Sequence, residues 1–242
     1  GTTDTGATGG VPGGSTSGGT DGAAGSGGGP LAISGLNSGD SADQLWGEQF
    51  FSPYVDMGLY PVPDLDGLAR QHGVGLFNLG FIQATGSGEA AWAGLPALSM
   101  TSSHPQAQAI LREISQLRAA GGDVMVSFGG ASGTSLAVSS ARAGRSAADL
   151  ADRYTQVIER LDLNRIDFDI EGSALSNRSA NRLLSEALRR VQQARPGLEV
   201  WFTLPVLPQG LTGDGLAVVR RALTAGVKLD GINIMAMDYG DS

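Results

Sequence analysis

The stretch RIDFDIEG, residues 165–172, sets apolar Ile166, Phe168 and Ile170 in strict alternation with acidic Asp167, Asp169 and Glu171. Period two is the signature of a β-strand, whose successive side chains point to opposite faces. One face is ordinary core. The other gathers three carboxylates in a row, about 6.6 Å between neighbours. At an effective dielectric near 20, two full charges at that spacing repel by roughly 2.5 kcal/mol, or about two pKa units. A buried row of this kind stays partly protonated at neutral pH. A partly protonated row ending at a cleft is the arrangement expected of a general acid, and its last member, Glu171, is the one expected to hold the proton for use.

On either side of this strand the chain repeats one rhythm. Apolar runs at 50–60, 74–83, 123–130, 165–172, 198–208 and 230–240 alternate, from the third onward, with amphipathic helical stretches such as PQAQAILREISQLRAAGG (105–122) and SAADLADRYTQVIERLDL (146–163). The helical stretches close on Gly or Pro-Gly, as helix ends do. Strands alternating with helices imply right-handed βαβ units and a parallel sheet. Neither G-x-G-x-x-G nor a P-loop pattern follows the first strand, which argues against a nucleotide-binding open sheet. Polar residues instead collect at the C-terminal ends of several strands: Tyr54 and Asp56, Gln83, Ser127, the three carboxylates, Asp238 and Tyr239. A (β/α)₈ TIM barrel places its chemistry there. The expected fold is therefore α/β, a TIM barrel.

Composition bounds the remaining possibilities. Residues 1–30 hold 13 Gly among Thr, Ser and Ala. Such a stretch buries too little surface to offset its chain entropy. Residues 1–44 are expected to be a flexible Gly/Ser/Thr-rich linker, tethering the catalytic domain at 45–242 to an upstream module; a disordered tail with no module is the alternative. The eight Asp and Glu before Arg70 meet no Lys or Arg, while the other 16 acids balance all 16 bases, so the net charge of −8 belongs to the first 69 residues. No basic face is left for nucleic acid, and no apolar run approaches the ~18 residues of a membrane span. With no Cys and two His far apart, thiolate and His-rich metal sites are excluded. No metal and no cofactor are expected.

NRIDFDIEG resembles the D-x-x-D-x-D-x-E signature of glycoside hydrolase family 18, the chitinases and their relatives. SFGG (127–130) is similar to that family's S-x-G-G motif, and NIMAMDYG (233–240) to its sixth-strand motif. SPYVDM and FTLPVLPQGLT look like the first and fifth strands of its secreted bacterial members. The resemblance implies retaining hydrolysis of chitin or chito-oligosaccharides, assisted by the substrate's own 2-acetamido group. Glu171 would then be the general acid/base. Asp169 would orient the acetamido group, and Asp167 would share a proton with Asp169. Ser127 would support the carboxylates, and Asp238 would contact substrate near the cleaved bond. Two positions depart from the pattern: Asn164 stands where the signature opens with Asp, and Met237 where the family often has Tyr, with Tyr239 as the candidate substitute.

Further substrate contacts are expected from Tyr54, Gln83 and Gly129, from Trp92 in the loop GSGEAAWAG as a stacking surface, and from Met235 and Met237, which either line the pocket floor or simply pack. A cation bound by the carboxylates, a glycan-binding lectin of the same fold, and an endo-N-acetylglucosaminidase acting on N-glycans are the alternatives; the presence of Glu171 favours an enzyme over a lectin. The resemblance further implies a secreted protein, monomeric when complete, with a carbohydrate-binding module upstream. Six strands are legible where a (β/α)₈ barrel has eight, so the chain is expected to be a barrel truncated after the sixth.

Overall fold

The computed structural model describes residues 45–239; the expected linker, 1–44, lies outside them. Six parallel strands form the frame: β1 (Tyr54–Asp56), β2 (Leu76–Ala84), β4 (Asp123–Gly129), β5 (Arg165–Asp169), β6 (Glu199–Leu207) and β8 (Gly231–Met235). They stand side by side in that order. Two short antiparallel strands, β3 (Ala90–Trp92) against β2 and β7 (Gly210–Leu211) against β6, add hairpins. All six apolar runs therefore become strands. The helices are α1 (Leu65–His72), α2 (Pro105–Ala119), α3 (Leu136–Arg142), α4 (Ala147–Leu161), the single turn α5 (Gly172–Leu175), α6 (Arg178–Ala194) and α7 (Gly213–Thr224).

Local chemistry sets the helix limits. Asp64, Ser135, Asn177 and Thr212 each accept a backbone N–H at a helix start. α4 begins with a reciprocal capping box between Ser146 and Asp149. It ends without glycine, on Asp162 in the left-handed region at φ 50. Helices α1 and α3 and the single turn α5 are additions to those expected from the sequence.

The sheet is curled. Three strands separate β1 from β6, which in a flat sheet is about 19 Å at ~4.8 Å per step. Yet the Tyr54 hydroxyl lies 2.7 Å from that of Thr203 on β6. The outward face of β5 packs under the helices: Phe168 stacks on Phe128 at 5.1 Å and meets Tyr154 of α4 edge-on at 5.1 Å. Such aromatic pairs add about 0.5–1.5 kcal/mol each beyond area burial. This cover stops at β8. Ile234 is 54% exposed, whereas Phe168 is 3% exposed. Among the described residues β1 and β8 do not pair with each other.

At the N-terminal ends of the strands, Trp46 is buried against Leu76 and Met125. Its indole donates to Asp123 Oδ2 at 2.9 Å and its ring lies under the Arg165 guanidinium at 4.9 Å. Phe50 bridges Trp46 to Trp201 by two edge-on contacts. Among the described residues no helix is long and apolar enough to cross a membrane.

Candidate active site

Strand register assembles the site. Parallel pairing sets Ser127 and Gly129 of β4 beside Asp167 and Asp169 of β5, with Trp201 and Thr203 of β6 on the other side. Asp167 is fully buried. Its Oδ2 accepts from Ser127 Oγ at 2.6 Å, Tyr54 Oη at 2.8 Å and Asn78 Nδ2 at 3.4 Å. Its Oδ1 lies 2.8 Å from Thr203 Oγ1. Tyr54, Thr203 and Asp167 thus close a ring of three O···O contacts that holds only two hydroxyl protons. Thr203 donates to Oδ1 and Tyr54 to Oδ2, so both hydroxyl protons are directed at the carboxyl, and the two hydroxyl oxygens lie 2.7 Å from each other. Thr203 keeps a lone pair for Asn233 Nδ2 at 3.3 Å. Burial pushes the Asp167 carboxyl up, and the bonds from Ser127, Tyr54, Thr203 and Asn78 pull against it. The Tyr54 hydroxyl is also pushed up, by burial and by Asp167, and so remains a donor.

Asp169 is buried one step nearer the mouth. Burial first, then the charges of Glu171 and Asp167 and a hydrogen bond with Glu171, push its carboxyl up to about 8. Burial and the like charges on either side favour its protonated form. Its Oδ1 is buried with no hydrogen-bond partner. Glu171 continues the strand in extended backbone, half-buried, and opens α5 without capping it. Its carboxylate is therefore free to face Asp169. The upward shifts fall on the two buried members of the row, Asp167 and Asp169. Asp167 is bonded by hydroxyls and one amide, and Asp169 is acted on by burial and the neighbouring acids.

The turn after β4 needs its glycines. Gly129 at φ 113 sits so close to β5 that a Cβ there would strike the Asp169 carbonyl oxygen. Gly130, at φ 92, donates its N–H to that carbonyl at 3.1 Å.

Two expected substrate contacts lie elsewhere. Trp92 belongs to β3, is 2% exposed and packs in the main core; the hairpin turns it inward, so it offers no face for a sugar. Gln83 is buried and spends both N–H groups of its side-chain amide on the carbonyls of Gly129 and Ser132, leaving none for a ligand. Met235 ends β8 half-buried, while Met237, Asp238 and Tyr239 follow it exposed, and no hydrogen bond ties Asp238 or Tyr239 to the carboxylate row. Four neighbours escaped the sequence reading. Asn78, Thr203 and Asn233 serve the Asp167 network, and Phe81 stacks on Tyr54 at 5.8 Å. The available signal was a lone polar residue inside an apolar strand, as in LFNLG and WFTLP.

No family model matches the chain. A probable bifunctional chitinase/lysozyme of Escherichia coli (strain K12) is 36% identical over 203 residues, 82% of this chain and 22% of that protein. Endochitinase 11 of Metarhizium anisopliae is 35% identical over 203 residues, 82% of this chain and 37% of that protein. A structure of active domain 2 of the thermostable chitinase of Pyrococcus furiosus, a catalytic-site mutant complexed with chito-oligosaccharides, matches with TM-score 0.69 and 33% identity. That match covers 79% of this chain and 58% of the solved one. The chain thus spans about a fifth of one curated relative, somewhat over a third of the other, and somewhat over half of the solved domain. The carboxylate strand and these likenesses agree, and together they support glycoside hydrolase family 18 for this chain.

Proposed function

We propose that this protein hydrolyses β-1,4-linked N-acetylglucosamine chains, chitin and chito-oligosaccharides, with retention and with the substrate's acetamido group as nucleophile. The observation that carries this reading is the buried Oδ1 of Asp169, which has no hydrogen-bond partner, on a carboxyl that lies between Asp167 and Glu171. A buried acceptor with no donor costs stability. An acetamido N–H supplies the missing donor.

In this reading Asp169 holds the proton and shares it with Glu171. When the acetamido N–H bonds to Oδ1, the negative form of Asp169 gains a partner and the proton passes to Glu171. Glu171 then protonates the glycosidic oxygen as the C1–O bond breaks. The acetamido carbonyl oxygen attacks C1 and forms an oxazolinium ion, which Asp169 stabilises. Glu171, now a base, takes a proton from water. The water oxygen attacks C1 and opens the ring, so two inversions give retention. Asp167, in its ring with Tyr54 and Thr203, limits the negative charge beside Asp169. The relatives named chitinases support the substrate class.

We extend the proposal to the frame: two further strands between β8 and β1 complete an eight-stranded TIM barrel, covering the exposed Ile232 and Ile234. Secretion, a carbohydrate-binding module and a monomeric state belong to the same proposal. Proton NMR of fresh product from a β-linked N-acetylated oligomer is the test. Early β-anomer, with no turnover of the fully deacetylated oligomer, is expected. Early α-anomer, or equal turnover of both substrates, contradicts substrate assistance.

A further inference from the structure

The geometry points to Gln83 as a positioning residue for Asp169: its buried amide pins the turn that grips the Asp169 backbone. This rests on the proposed role of Asp169. Gln83 sits near the end of β2, where the strand pairs with β3 through Gln83 and Ala91. Its Nε2 donates to the Gly129 carbonyl at 2.8 Å and to the Ser132 carbonyl at 2.6 Å. One rigid amide therefore ties both ends of the four-residue turn leaving β4. Nearby, the Ala84 N–H donates to the Thr134 carbonyl at 2.8 Å and ties the same segment to β2 from its far side.

The first half of that turn is the part that touches Asp169. Gly129 lies against the Asp169 carbonyl with no room for a side chain, and Gly130 donates to the same carbonyl. The chain of contacts runs from Gln83 through Gly129 and Gly130 to the peptide group that carries the Asp169 side chain. Gly133 completes the fit, since a Cβ there would strike the Gln83 amide. Gln83 touches none of the three carboxylates, so it acts through the backbone. The groups facing Asp169 are Glu171 and Asp167, and a shift of its backbone alters its distance to both.

Gln83→Met keeps the length and removes both donors. In the full-length protein acting on a chromogenic chito-oligosaccharide, kcat should fall about 10–100-fold, as misplacement of a reacting group does, with KM within about twofold. The Asp169 carboxyl, followed by carbon NMR, should titrate at a different pH from wild type; this readout does not depend on turnover. Gln83→Asn, which keeps the N–H donors, should lie closer to wild type in both. If Gln83→Met does not fold, Gln83→Glu carries the same test, because its carboxylate faces two carbonyl oxygens and cannot donate. An unchanged Asp169 titration, or kcat within about twofold of wild type, overturns the inference. A rise in KM alone would make Gln83 a substrate contact instead. Absence of turnover in the wild-type protein would refute the proposed function and leave the titration to judge Gln83.

Discussion

Buried carboxylates occur at both ends of the β4–β5 pair, and their company differs. At the base, Asp123 meets the Arg118 guanidinium at 2.9 Å and the Trp46 indole at 2.9 Å, while Arg165 pairs with Glu199. At the mouth, Asp167 and Asp169 meet hydroxyls, one amide and other acids. A carboxylate held by a guanidinium is fixed as a charge and contributes to structure. A buried carboxyl beside a like charge, with no guanidinium to fix it as an anion, retains a proton it can give away. One strand, β5, carries both solutions: Arg165 at its start and Asp169 at its end.

Removing the mouth's proton donor should have the largest effect. Glu171→Gln should lower kcat by 10²–10⁴-fold while oligosaccharide binding, measured by calorimetry, survives. Retention of more than about a tenth of wild-type activity would assign the acid elsewhere.

The next effect is on stability as a function of pH. Asp169 has its folded-state value raised from 3.8 to about 8. Its protonated form is favoured by folding, so its stabilising contribution is complete below about 4 and is lost as pH rises toward about 8. Wild-type Tm should therefore decline more steeply over that range than Tm of Asp169→Asn, which carries no titrating group there. Parallel Tm curves would contradict the raised value. For the same reason, activity that needs this proton should fall as pH passes about 8.

Opening the ring around Asp167 is a smaller intervention. Thr203→Val keeps the shape and removes one hydroxyl from the triangle with Tyr54 and Asp167. About a tenfold loss in kcat is expected, with Tm nearly unchanged. At the base the pattern should reverse. Asp123→Asn weakens the acceptor for both Arg118 and Trp46 and should cost about 1–3 kcal/mol by denaturant unfolding, with kcat per folded molecule unchanged. A loss of kcat there would erase the distinction between the two ends. The smallest effect belongs to Asn164→Asp. Asn164 is exposed at the base, where its carbonyl accepts the Glu199 N–H at 2.9 Å. Changes within about 0.5 kcal/mol and twofold in kcat are expected.

Much of this was legible because it is local. Alternation over Arg165–Glu171 divides the strand into a core face and a carboxylate face, and the spacing alone implies proton sharing. Where the shared proton is held was not legible. Repulsion along the row treats its members alike, while burial favours protons on Asp167 and Asp169, the two that lie deepest. Trp92 was misjudged because an aromatic among glycines resembles an exposed loop, whereas three residues of antiparallel pairing turn it into the core. Asn78 and Thr203 look unremarkable in sequence. Their meaning appears only when the sheet curls and brings β1, β2 and β6 around one carboxylate. Gln83 was recognised as special, but its partners are backbone carbonyls, which no side-chain pattern records.

The central claim is that Asp169 stores a proton beside Glu171, and site-specific carbon NMR titration of the Asp169 carboxyl in the active protein tests it most directly. The account predicts a midpoint near 8 in the wild type, moving down in Glu171→Gln as the neighbouring charge disappears. A midpoint near the ordinary 3.8, unaffected by Glu171→Gln, would contradict it.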